Sequence, residues 1–193
     1  SWIGFCLSVG SINGIIGFTL GHEFIHCNNT IDQLAGHLLL WQNNYLHYGI
    51  EHISGHHIYA CTPKDPHTAR FNESFYKFLP RAISGTFLNA WQLEIKRLVK
   101  AKLPKISFHN RILTYLLVQT LTLVLLYIFG RGPAVLFFLL QASIAIVLLH
   151  IINYLQHYGL LRRLLPGGKF EKLQQQHAWN SNISPNDLSL FQL

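Results

Sequence analysis

Apolar positions are arranged in three long runs along the chain. Residues 112–129, "ILTYLLVQTLTLVLLYIF", carry no charge over 18 positions, or about 27 Å of helix at ~1.5 Å per residue. Residues 133–155 form a second run, uncharged apart from His150. Only "GRGP" separates the two, a break rich in turn residues, so they read as a helical hairpin. Residues 2–20, "WIGFCLSVGSINGIIGFTL", form a third run, diluted by glycines and Asn13. Gly10 and Gly14, then Gly17 and Gly21, are spaced four apart, which lets a neighbouring helix approach closely. The expected fold is an all-α polytopic membrane protein, a single domain over residues 1–193 with spans near 2–20, 112–129 and 133–155. No basic region precedes the first run, which speaks against a cleaved signal peptide.

The remainder is less regular. Residues 31–50 have no assigned role, and 71–103 mix Phe71, Phe75, Tyr76, Phe78 and Trp91 with basic residues, as an interfacial stretch does. The loop "CTPKDPHTA" is broken by two prolines.

Composition supports the membrane reading: half the residues are hydrophobic and only 12% are charged. The chain begins at Ser1 and contains no methionine, so it is expected to be part of a longer protein. Three cysteines without CxxC spacing (Cys6, Cys27, Cys61) indicate neither a disulfide framework nor a zinc ribbon. The net charge of +7 is concentrated beside the apolar runs, in Lys96–Arg111 and Arg162–Lys172. That distribution marks a cytoplasmic membrane face and excludes nucleic acid as the expected partner. The hairpin then returns to the cytoplasm, where the sequons at Asn28, Asn72 and Asn182 stay unmodified.

Histidine is the anomaly: 12 against 8 acidic residues. "HEFIH" (22–26), "EHISGHH" (51–57) and "NYLQHYG" (153–159) all fall where charge and hydropathy put the cytoplasmic helix ends. On a helix, i and i+4 share a face, so His22 with His26, and His52 with His56, can chelate one ion or flank two, with His57 turning to a second. Neutral imidazole suits zinc, iron, copper and nickel. Glu23 and Glu51 can orient an imidazole or act as bases. His150 and Asn153 lie on the helical stripe of His157. His37, His47, His67 and His109 read as interfacial or surface residues, and His177 is ambiguous. Six plausible imidazole ligands exceed one tetrahedral site, so more than one metal is expected. "HEFIH" alone also fits a zinc peptidase with Glu23 as base, and a non-catalytic metal-binding or transport protein is a further alternative.

"HEFIH", "EHISGHH", "TPKDP", "NYLQHYGLLR" and "HAWNSN" resemble, in order and spacing, the AlkB-type alkane 1-monooxygenases of the integral-membrane desaturase/hydroxylase superfamily. The resemblance runs from about residue 18 to the end. It implies a di-iron centre held by nine histidines and facing the cytoplasm, in the inner membrane if the protein is bacterial. It further implies electrons from a rubredoxin-type donor and O2-dependent hydroxylation of the terminal carbon of medium-chain alkanes. The mechanism the resemblance implies is O2 activation at two irons, with hydrogen abstraction from a C–H bond and return of hydroxyl to the carbon radical. Carried over, the ligands are His22, His26, His52, His56, His57 and His157, with three more expected in a box after Leu193. Glu23, Glu51, Asn153, Gln156, His150 and His177 are candidates for holding those ligands in place. Gln156 stands where these enzymes usually have glutamate, as in the xylene monooxygenase branch, and His150 also replaces a usual glutamate. A fatty-acyl desaturase or a xylene-type side-chain hydroxylase is the alternative within the superfamily. Membrane lipid and an alkane or acyl substrate are the other implied partners.

Overall fold

The structure, a computed structural model, describes residues 1–179. The Asn182 sequon and the second half of "HAWNSN" lie outside the described residues. Among those described there is no strand, only one isolated antiparallel bridge between Leu164 and Phe170.

Helix α1 (Trp2–His26) is continuous, so "HEFIH" is its last turns rather than a segment emerging beyond it. A π turn at Asn13–Gly17 interrupts its α-helical pitch. Its glycines serve two neighbours. A Cβ on Gly10 would stand 2.8 Å from Ile144 Cβ, and one on Gly14 2.8 Å from Leu148 Cδ1. A Cβ on Gly21 would meet Leu39 Cβ at 3.2 Å on helix α2 (Thr30–Gln42). α2 starts where the Asn29 side chain accepts the Ile31 N–H, satisfying a donor left free by the helix end. Helix α3 runs over residues 48–59 and contains a second π turn, His52–His56.

Helix α4 (Phe75–Lys100) accounts for the mixed aromatic and basic stretch. Phe78, Ala82, Thr86, Ala90, Glu94 and Leu98 are its buried positions, one in every four. At ~3.6 residues per turn a four-residue step advances about 40°, so the seam winds around the helix and meets different partners along its length. Phe78 packs near Tyr154 and Tyr158, Ala90 near Ile50 and Ile112. Phe71 and Tyr76 stay exposed.

Helix α5 (Arg111–His157) is broken at Arg131, whose φ of 57° is non-helical. The Trp41 indole N–H donates to Thr122 Oγ1 (2.9 Å), while Gln141 Nε2 donates to the carbonyl of the adjacent Gln42 (2.7 Å). In a straight helix Thr122 and Gln141 would be about 28 Å apart. The two limbs therefore fold back on each other, as "GRGP" predicts. Asn110 caps the first limb by accepting from the Ile112 and Leu113 N–H groups.

α1 and α5 are long and apolar enough to cross a membrane. Their outer faces expose large apolar side chains, among them Ile3, Phe5, Leu125 and Phe129. A core helix of a soluble protein would bury them.

Glu94 anchors the entrance to the hairpin. Its buried carboxylate accepts from Arg97 (2.7 and 2.9 Å), from the Arg111 side chain (2.7 and 2.9 Å) and from the Arg111 backbone N–H (2.8 Å). Burial pushes its pKa up, but the hydrogen bonds from both guanidinium groups prevail and hold it at about 2. Two of the basic residues in the Lys96–Arg111 stretch are thus committed to an internal carboxylate.

Candidate metal centre

The C-terminal turns of α1 bring His22 and His26 against α3. With His52 and His57 they offer four ligand nitrogens that all lie within 4.8 Å of one another. His52 Nε2 and His57 Nε2 are 2.9 Å apart. Two imidazoles bound to one ion at ~2.0–2.1 Å have nitrogens a little over 3 Å apart, so this pair sits close to a shared-ion geometry.

The π turn decides the pairing. An α-helical reading of "EHISGHH" puts His52 with His56 and turns His57 away. With i→i+5 spacing, His52 instead meets His57, and the His56 ring lies beside that pair, towards α5. There its ring lies 5.3 Å from that of His157, which ends the second limb of α5. Two imidazole groups therefore lie side by side, with the His52 and His56 rings stacked at 5.3 Å between them.

The second group is oriented from behind. His56 Nδ1–H donates to Asp65 Oδ2 (3.0 Å), which leaves Nε2 as the free lone pair. Burial alone would lower the His56 pKa, but the Asp65 carboxylate raises it. Asp65 in turn is held below the usual carboxylate range, since the neighbouring imidazoles overcome its burial. His157 Nδ1 lies 3.2 Å from the His177 carbonyl, to which it donates, and 3.3 Å from Cys61 Sγ. His157 Nε2 is buried without a partner, a costly state for a ring nitrogen unless a ligand or ion takes it. In the first group, burial followed by the neighbouring imidazoles lowers His52 well below its ordinary value and His57 to about 4. Both are neutral at pH 7, the form that binds metal.

Residues expected to support the ligands divide. Glu23 Oε1 lies 3.3 Å from His22 Nδ1. Glu51 does not touch a ligand imidazole: its Oε2 accepts from His67 (2.9 Å). Asn153 likewise reaches His67, at Nδ1 (2.8 Å). His150 is buried, bonds the Tyr45 hydroxyl through Nε2 (3.1 Å) and stacks on His67. Gln156 is buried, and its carbonyl accepts the Trp179 N–H. His177 acts through its carbonyl, because its ring nitrogens engage Gln174 N and Glu171.

His67 corrects the expectation of a surface residue: it is 1% exposed, between Glu51, Thr86 and Asn153. His109 is exposed, while His37 and His47 are half-buried. Asp65 lies in the quoted "TPKDP" stretch, eight residues beyond His57, but nothing in the spacing marks it as a partner of His56. The zinc peptidase alternative gains nothing here, since Glu23 engages His22 and four imidazoles leave no open position on a tetrahedral zinc.

The fatty acid desaturase family model matches residues 1–193. Alkane 1-monooxygenase 1 and alkane 1-monooxygenase 2 of Pseudomonas aeruginosa are 42% and 40% identical, each over 99% of this chain. The xylene/toluene monooxygenase hydroxylase component XylM of Pseudomonas putida is 28% identical over 92% of it. The chain spans about half the length of these relatives, 50%, 51% and 47% respectively. A match along the whole chain, joined to a cluster of histidines drawn from separate helices, establishes that the chain belongs to the fatty acid desaturase family.

Proposed function

We propose that the chain forms the histidine-box core of a membrane-bound di-iron monooxygenase. The reaction is hydroxylation of the terminal carbon of medium-chain alkanes, with O2 and electrons from a rubredoxin-type donor. The side-by-side arrangement of two imidazole groups carries the reading: four converging histidines, and beside them His56 with the unpartnered Nε2 of His157.

His22, His26, His52 and His57 would hold one ion. His56 and His157 would begin the shell of the second, which three histidines expected after Leu193 complete. The irons, when bound, supply the activation of O2 that an unreactive C–H bond requires. The chain's own part is orientation. Asp65 and the His177 carbonyl hold Nδ1–H of His56 and His157, so each ring presents Nε2 with a fixed tautomer. A neutral, all-nitrogen donor set avoids placing a charged ligand at the membrane edge, where desolvating it is costly.

The outward apolar faces of α1 and α5 support a multi-pass inner-membrane location, and the basic segments beyond the hairpin support a cytoplasmic site. Gln156 favours a second reading, xylene-type side-chain hydroxylation. The test is to express the full-length parent protein in membranes, count its metals and supply octane, xylene and a fatty acid separately. Two irons per chain and 1-octanol are expected. One zinc, or an unsaturated fatty acid as the product, would overturn the reading.

A further inference from the structure

Glu51 immediately precedes His52 and is fully buried, yet its carboxylate is turned away from the converging imidazoles. It lies against the π turn itself: a Cβ on Gly55 would stand 2.7 Å from Glu51 Oε1, so the glycine makes room for it. The other oxygen receives the His67 ring N–H at 2.9 Å. Asn153 Nδ2 donates to His67 Nδ1 at 2.8 Å, which leaves the ring proton on Nε2, facing Glu51. Stacking on His150 holds the ring plane. His67 is therefore fixed in both tautomer and orientation by Asn153, Glu51 and His150.

We propose that His67 is a positioning residue that keeps the Glu51 carboxylate from binding the metal, so that the donor set stays imidazole-only. The inference rests on the reading of the site as a di-iron centre. A buried carboxylate without a donor carries an uncompensated charge. Only one other hydrogen bond reaches it among the described residues, a long one from Asn89 at 3.5 Å. Carboxylate is a good ligand for iron, and the turn that carries Glu51 also carries His52 and His56. Removing the His67 donor releases the carboxylate beside the ions, which are the strongest positive charges within reach.

The test is Mössbauer spectroscopy of the full-length parent protein loaded with iron-57. His67→Ala is expected to show a quadrupole doublet absent from the unsubstituted protein. His67→Phe, which keeps ring volume for the stack but donates nothing, is expected to show it too and serves if the alanine variant fails to accumulate. His67→Gln, which retains an N–H donor, is expected to restore the original spectrum. Adding Glu51→Gln to His67→Ala is expected to abolish the new doublet. A spectrum unchanged in both His67→Ala and His67→Phe, or a new doublet that survives Glu51→Gln, overturns the proposal while leaving the di-iron reading intact. Absence of two irons from the unsubstituted protein overturns the di-iron reading itself.

Discussion

His57, not His56, is the partner of His52: their Nε2 atoms lie 2.9 Å apart across a π turn. In the proposed centre His57 would therefore share an ion with His22, while His56 would belong to the neighbouring one. Residues that share a site are not additive on removal. His57→Ala and His22→Ala together are expected to cost the full-length protein one ion, no more than either alone. His57→Ala with His56→Ala is expected to cost both. Iron per chain by elemental analysis distinguishes the pairings.

His157 reaches the centre from the far end of the hairpin, and nothing else among the described residues takes its Nε2. His157→Ala and His52→Ala are each expected to abolish hydroxylation while the protein still inserts. Asp65→Ala, which removes the acceptor behind His56 together with that of Thr68 Oγ1 and the His67 backbone N–H, is expected to weaken metal binding ~10–100-fold. Metal titration of membranes separates these effects. Retained activity in either histidine variant would remove that residue from the ligand set.

Gly14 lies against Leu148 and the Ala145 backbone, where an added Cβ would approach to 2.8 and 3.1 Å. Gly14→Val is expected to cost about 1–3 kcal/mol through overpacking. The readout is a lower unfolding temperature in detergent, and an unchanged Tm would show that the hairpin shifts freely against α1.

Glu94 makes one part of the fold sensitive to acid. Its folded pKa of about 2 lies below the ordinary 4.5, so its contribution is complete above the unfolded value. It declines as pH falls from about 4.5 and is lost below about 2. Its guanidinium partners are 39% and 47% exposed, so Glu94→Gln is expected to cost roughly 2 kcal/mol, less than for a fully buried pair. Denaturation of the variant is expected to lose this part of the pH dependence. A variant that follows the unsubstituted curve below pH 4.5 would show that other groups govern it.

These features were not equally visible in the sequence. The hairpin was legible because an uncharged run of helical length has few alternatives, and "GRGP" supplies a break the pattern itself marks. The histidine boxes were legible from residue type. The pairing within "EHISGHH" was not, because hydrophobic periodicity carries no sign of a π turn and an α-helical count favours His56. His67 was misplaced for a different reason. A lone histidine between Pro66 and Thr68 belongs to no periodic face, and its burial depends on Thr86 and Asn153, 19 and 86 residues away. Glu94 has no mark of its own among the lysines and arginines around it, because its burial depends on Arg111, 17 residues away.

The fold-back at Arg131 makes the hairpin a ruler. Its first limb is fixed at the base by Glu94 and Arg111, and its second delivers His157 beside His56. Each added helical turn in the second limb alone would move His157 by ~5.4 Å, further than any ligand bond can stretch. Equal lengths in the two limbs would cancel at the base and change only how deeply the tip reaches. The depth of the tip would therefore be free to follow the thickness of a bilayer, while in the proposed centre the match between the limbs would be set by a metal-ligand distance.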